Sequence, residues 1–179
     1  MDESILSSIY KNESKNCEHS KNLPIFIRGN VNYGMGRGGK ELGIPTANYP
    51  EEVVEKYSSL INTGIYCGWA KVDGGEVYKM VMSVGWNPYY KNNKKSMETH
   101  IIHAFENDFY GSQLSVVITG HLRPEKSYPS LQDLIDAIHN DISQAKEVLD
   151  EPENKSYMTH SFFTCNDSAS TNNESQNRS

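Results

Sequence analysis

Gly64-Ile65-Tyr66-Cys67-Gly68-Trp69-Ala70-Lys71-Val72-Asp73-Gly74-Gly75-Glu76-Val77-Tyr78-Lys79-Met80-Val81-Met82-Ser83-Val84-Gly85 reads as two strands, 64–72 and 77–85, joined by a hairpin turn at Asp73-Gly74-Gly75. The same β signals recur on either side. Ile25-Phe26-Ile27-Arg28-Gly29-Asn30-Val31 reads as a strand, and residues 98–105 and 114–122 make two more. Apolar positions come in mixed runs, continuous at Val116-Val117-Ile118. That pattern suits strands covered in part on both sides, as in a closed barrel. Then the period changes. Leu131, Leu134, Ile135, Ile138, Ile142, Ala145 and Leu149 recur at helical spacing, behind Pro129 and a Ser130-x-x-Asp133 capping pattern. One helix of about twenty residues is predicted to lay its apolar stripe on the barrel.

The chain has 179 residues, enough for one domain with a substantial core. Its thirteen glycines all fall between Gly29 and Gly120. Residues 1–22 and 166–179 are rich in Ser, Asn, Lys and Glu, too polar to fold alone, and are expected to be disordered. The folded body is expected over 23–150, and 151–165 is expected to pack on it in part through Ser161-Phe162-Phe163. A net charge of −6 argues against a nucleic-acid surface. Positive charge is instead local, at Arg37, Lys40 and the Lys91/Lys94/Lys95 group. Cys17, Cys67 and Cys165 are odd in number and far apart, which suits a reducing compartment better than a disulfide framework. No apolar run approaches the length of a membrane span, and Met-Asp-Glu at the start lacks a signal-peptide layout. A cytoplasmic chain without membrane or nucleic-acid partners is expected, acting as a monomer. The Asn-x-Ser sequons at Asn12, Asn154, Asn166, Asn173 and Asn177 then read as chance.

The chemistry concentrates in Gly36-Arg37-Gly38-Gly39-Lys40-Glu41-Leu42-Gly43-Ile44-Pro45-Thr46-Ala47-Asn48. A glycine-rich loop with bare backbone N–H groups, followed by two neutral oxygen ligands, is what a nucleotide and its divalent metal require. Two better-known glycine motifs match here and fail. Gly34-Met-Gly36-Arg-Gly38-Gly39 fits the dinucleotide fingerprint, and Gly34, Gly39 and Lys40 fit a P-loop. Both need a helix directly after the loop to hold the phosphate, but Leu42-Gly43-Ile44-Pro45 follows. The P-loop also needs Ser or Thr after the lysine, where this chain has Glu41. No His-Arg-Asp or Asp-Phe-Gly segment supports a protein kinase.

Taken in order, several separated segments make the sequence resemble the riboflavin kinases of the ATP-using eukaryotic and bacterial type. They are Gly34-x-Gly36-Arg37-Gly38, Leu42 to Asn48, Thr63-Gly64-Ile65-Tyr66, Gly85-Trp86-Asn87-Pro88, Glu98-Thr99-His100, Phe109-Tyr110-Gly111 and Leu122-Arg123-Pro124-Glu125-Lys126. The resemblance spans about Pro24 to Leu149. It implies a mainly β fold: a six-stranded antiparallel Greek-key β-barrel with a C-terminal α-helix packed on it. It implies an ATP:riboflavin 5′-phosphotransferase, with riboflavin and ATP as substrates and FMN and ADP as products. The cofactor would be Mg²⁺ or another divalent ion such as Zn²⁺ or Mn²⁺.

Phosphoryl transfer needs charge neutralisation, alignment and a destination for the alcohol proton. The loop from Gly34 to Gly39 can offer N–H donors, with Arg37 or Lys40 adding charge. Thr46 and Asn48 alternate along an extended segment, so their side chains point the same way, and Pro45 stiffens the approach. The resemblance assigns both to the metal, and Gly34, Lys40, Thr46, Ile101, His103 and Tyr110 to the nucleotide. It makes Glu98, at the opening of the 98–105 strand, the catalytic base. It gives Arg123, Lys126 and Tyr128 to the flavin. His100 shares the face of Glu98 and His103 takes the other, and no third and fourth ligand at zinc spacing accompanies them. Loop 87–97 reads either as a lid or as a hairpin tip solvated by its lysines.

The rival reading is a non-catalytic flavin- or nucleotide-binding barrel. Thr46, Asn48 and Glu98 together favour the enzyme, because storage needs neither a base nor a metal pair. A CTP-using archaeal-type kinase fits the Pro-Thr-Ala-Asn segment less well. FAD synthesis in the same chain is not expected, as no nucleotidyltransferase segment precedes the barrel.

Overall fold

The computed structural model describes residues 22–33, 39, 42–86 and 94–165. Strand β1 spans Ile25–Asn30, β2 Ala47–Asn48, β3 Gly64–Val72, β4 Val77–Trp86, β5 Lys95–Ile101 and β6 Gln113–Arg123. Helix α1 is Glu51–Tyr57, α2 is Leu131–Val148 and α3 is Pro152–Lys155. Two short 3₁₀ turns, Ser156–Thr159 and Ser161–Phe163, follow α3.

The six strands form one antiparallel sheet in the order β1-β6-β3-β4-β5-β2. Strands β3, β4 and β5 follow one another as neighbours, and β6 returns to lie beside β3. That is the Greek-key order. The β3–β4 turn forms where Asp73-Gly74-Gly75 predicts it, with Asp73 in the left-handed region at φ 47°. The sheet curls until its edges meet, and the Asn32 N–H donates to the Asn48 carbonyl across the seam at 2.8 Å. Tyr49 crosses the same gap, its hydroxyl donating to the Leu114 carbonyl at 3.0 Å. Helix α1 plugs the seam. A side chain at Gly29 would begin 2.8 Å from the Val53 methyl, so β1 needs glycine where α1 packs on it.

Alternation along the strands divides the apolar residues into two cores. Ile25, Ile27, Met80, Met82, Val84, Met97, Ile101, Leu114, Val116 and Ile118 fill the interior of the barrel. On the outer face Ile65, Cys67, Trp69, Val81 and Val117 lie under Ala145 of α2, its C-cap Leu149, and Phe163 beyond it. This two-sided cover explains the unbroken Val116-Val117-Ile118 run. Ser130 caps α2 as its spacing predicts, its side chain accepting from the Asp133 N–H. After α2 the chain crosses the outer face. The Trp69 indole donates to the Asn154 carbonyl at 2.9 Å, Lys71 to the Phe163 carbonyl at 3.0 Å, and Arg28 to the Phe162 carbonyl.

Two stretches depart from the sequence expectation. Strand β5 begins at Lys95 and ends at Ile101, where 98–105 was expected. Its early start continues the ladder to Trp86, and Lys95 is drawn inward to donate to the carbonyls of Ser58 and Ile61, each at 2.6 Å. It stops because the His103 N–H turns back to the Ile101 carbonyl at 2.8 Å, so His103 lies beyond the strand rather than on one of its faces. Helix α1 had no counterpart in the strand reading. Its signals are Pro50 at the N-cap and Glu51-Glu52 in the first turn. Two β-branched residues in seven positions hide them. Among the described residues no helix is long and apolar enough to cross a membrane.

Candidate active site

The short β2 ladder positions the chemistry. Asn48 pairs with Glu98 and Ala47 with Thr99. Ala47 joins the barrel interior, so Asn48 and Glu98 face outward side by side. One residue before β2, the Thr46 hydroxyl donates to Glu98 Oε2 at 3.5 Å, long for a hydrogen bond. The approach is braced twice. His100 Nδ1 donates to the Pro45 carbonyl at 2.9 Å, since a carbonyl can only accept. The Ile44 N–H donates to the Gly39 carbonyl at 2.8 Å, and a side chain at Gly39 would begin 2.5 Å from the Ile44 oxygen. Glycine at 39 is therefore what lets the loop close down beside Thr46.

Burial pushes the Glu98 carboxyl above its ordinary value, and the Thr46 hydroxyl pulls it back. Asn48 is 6% exposed, and its buried side-chain nitrogen has no partner among the described residues. That NH₂ group can only donate, so it calls for an acceptor oxygen, which leaves the amide oxygen as the atom open to a cation. The Thr46 hydroxyl, the Asn48 amide oxygen and the Glu98 carboxylate, on adjoining positions of the β2–β5 corner, are hard oxygen donors of the kind that suits Mg²⁺. The residues fit such an ion. Among the described residues no cluster of three His, Cys, Asp or Glu residues offers a softer alternative.

Beside this corner opens a cavity of about 610 Å³, within the range of small-ligand sites. It is lined by Pro45, Thr46 and Ala47, by Thr99 to Phe105 from the end of β5 onward, and by Asn107 to Tyr110. Thr46 thus touches both the cavity and Glu98. The turn at His103 brings its ring flat against Tyr78, centroids 3.9 Å apart and planes 14° from parallel, with Phe105 edge-on at 4.8 Å. Tyr110 stacks on Tyr33 at 5.2 Å. Loss of strand geometry after Ile101 is what creates this aromatic wall.

A second cluster forms where β6 runs out toward α2. Arg123 Nε and Nη2 each donate to one oxygen of Asp141 at 2.7 Å, a bidentate pair. Asp141 is 2% exposed, and its carboxylate holds the guanidinium above its ordinary value. Arg123 and Lys126 both stand 5.7 Å from the Tyr128 ring centroid.

The sequence-predicted residues therefore fall into two groups. Thr46, Asn48 and Glu98 meet at the β2–β5 corner, with Ile101, His103 and Tyr110 lining the adjoining cavity. Arg123, Lys126 and Tyr128 meet at the α2 end of β6, outside that cavity. Gly34 and Lys40, with Arg37, lie outside the described residues. Sequence reasoning missed Asp141 and the Tyr78–His103 stack. Asp141 had a signal: it lies three residues after Ile138 and four before Ala145, an acid on the apolar stripe of α2.

The profile of the family described as riboflavin kinase (flavokinase) matches residues 21–149. The riboflavin kinase of Mus musculus is 59% identical over 143 residues, covering 80% of this chain and 92% of the mouse protein. That of Homo sapiens is 58% identical over the same length and coverage. The crystal structure of riboflavin kinase from Trypanosoma brucei matches the fold with a TM-score of 0.64 at 29% identity, covering 81% of this chain and 89% of that one. The fold thus matches that of a solved riboflavin kinase, and the chain belongs to the riboflavin kinase family of enzymes.

Proposed function

We propose that the chain transfers the γ-phosphoryl group of ATP to the ribityl 5′-hydroxyl of riboflavin, giving FMN and ADP. One observation carries the reading: Glu98, half-buried, meets the Thr46 hydroxyl at the lip of a cavity sized for a nucleotide, with the Asn48 amide beside it. ATP occupies the cavity, its base among Ile101, His103 and Tyr110, its phosphates reaching Thr46. Gly34 and Lys40 are assigned to the same nucleotide. Thr46 and Asn48 would hold Mg²⁺, or another divalent ion, which when bound neutralises phosphate charge. Riboflavin lies on the other side, its ring near Arg123, Lys126 and Tyr128.

In the transfer the 5′-oxygen bonds to the γ-phosphorus while the bond from that phosphorus to the β–γ bridging oxygen breaks. ADP leaves with the electron pair. The hydroxyl proton passes to Glu98. A half-buried carboxylate suits this step, because desolvation raises its pKa and makes it a stronger base than an exposed one. The chain is proposed to act as a monomer, with every assigned group lying within residues 23–150.

Incubating the pure protein with riboflavin, ATP and Mg²⁺ and following FMN tests the proposal. Turnover is expected. Binding of both substrates with no FMN formed would leave a binding barrel instead.

A further inference from the structure

The strand registers place five residues in one line across the outer face of the sheet. Asn48 on β2 pairs with Glu98 on β5, and Glu98 pairs with Ser83 on β4. Ser83 pairs with Ile65 on β3, and Ile65 with Arg123 on β6. A bulge at Leu122 keeps the line intact, because it returns Arg123 to the face of Ile65, where α2 supplies Asp141. Residues at either side of Ser83 confirm its direction: Met82 and Val84 belong to the barrel interior, and Ile65 and Val81 to the outer core.

The line joins the two groups of site residues. Neighbouring strands lie roughly 4.8 Å apart, so Glu98 and Arg123 stand about 14 Å from each other. Between them is one polar side chain, Ser83. It is half-buried, its hydroxyl has no hydrogen-bond partner among the described residues, and Glu98 is its direct cross-strand neighbour. Next in line is Ile65, 9% exposed and apolar.

We propose that Ser83 is the residue that reads the sugar-alcohol chain of the flavin, hydrogen-bonding its internal hydroxyls between the base and the ring. The inference rests on the proposed function and extends it to a residue no motif singles out. A five-carbon chain with its terminal oxygen at Glu98 has four carbon–carbon bonds of about 1.5 Å, reaching between one and two strand spacings. It therefore passes over Ser83 and delivers its ring beyond, toward the Tyr128 cluster. A serine hydroxyl both donates and accepts, so it can serve a polyol in either sense. An apolar residue in its place would leave a sugar hydroxyl unpaired.

The test compares full-length wild type with Ser83→Ala against two ligands, riboflavin and lumiflavin, which has the same ring with a methyl group for the sugar chain. Flavin fluorescence quenching gives both affinities, and thermal melting checks the fold. Losing one neutral hydrogen bond should weaken riboflavin about 2–10-fold. Lumiflavin affinity and the KM for ATP should stay at wild-type values. Equal weakening of both flavins, or unchanged riboflavin affinity, overturns the proposal. A wild-type protein that binds riboflavin and makes FMN while Ser83→Ala behaves identically removes Ser83 alone. A wild type that does neither removes the proposed function as well.

Discussion

The two faces of β5 serve different ends. Inward, Met97, Thr99 and Ile101 are at most 5% exposed and build the barrel core. Outward, Glu98 and His100 keep contact with solvent, one beside Thr46 and the other holding Pro45. Alternation lets seven residues serve stability and chemistry at once. The division also shows where stability is given up. Glu98 sits against its own preference for water, while Met97 next to it is satisfied.

Exchanging the charge on the outer face should have the largest effect. Glu98→Gln keeps size and hydrogen bonding but removes the base, and kcat should fall about 10²–10⁴-fold. Substrate affinities should stay within a few-fold, which single-turnover and binding measurements can separate. The same change should raise Tm. Because the folded pKa lies above the unfolded one, the native state holds its proton more tightly. Stability therefore falls as pH rises from the unfolded through the folded pKa, and above that range the ionised carboxylate is a cost that glutamine removes. In the wild type, kcat/KM should fall on the acid side through a pKa above the ordinary glutamate value, with Glu98→Gln lacking that limb. A Tm that drops would reverse this reading of the burial.

Met97→Ala breaks the inward face instead. It should cost about 2–5 kcal/mol of stability by leaving a cavity, with kcat of the folded protein little changed. Urea melts and turnover below the transition distinguish the two faces directly.

Asp141→Asn tests the far end of the outer line. Weakening the partner of a largely buried guanidinium should cost up to roughly 3 kcal/mol, moderated because Arg123 retains some access to water. Riboflavin affinity should fall while the ATP KM holds. Equal loss of both would mean that Asp141 acts only on the fold.

Lys94→Ala should do least. Lys94 pairs with Glu51 and with Glu55, the latter at 2.9 Å, and joins the start of β5 to α1 in exposed surroundings. Exposed pairs contribute little, so Tm and turnover should match wild type within error. A clear loss would make α1 a strut for the β5 corner.

Elements built from local signals were legible in the chain. The Asp73-Gly74-Gly75 hairpin and the Ser130 cap depend on residues within a few positions of one another, and both formed as read. The ends of β5 were not legible. Ile101-Ile102-His103-Ala104-Phe105 has the composition of a strand, yet it turns at His103, where the ring stacks on Tyr78, 25 positions away. Helix α1 is too short for its period to stand out, and it exists to fill a seam that only the closed sheet creates.

For the site, the order of motifs in the chain determined which residues to consider, because Pro45-Thr46-Ala47-Asn48 and Glu98 carry recognisable chemistry wherever they lie. That they meet was decided by the register of β2 on β5. The line from Asn48 through Ser83 to Arg123 was beyond sequence reading altogether. Its members are dispersed over 76 positions (123 − 48 + 1), and nothing local aligns them. Register between strands is set by burying one apolar face of each strand, and a slip of one residue would turn Ser83 inward and Met82 out. Strand propensity belongs to the chain; which side chains stand next to one another belongs to the packed core.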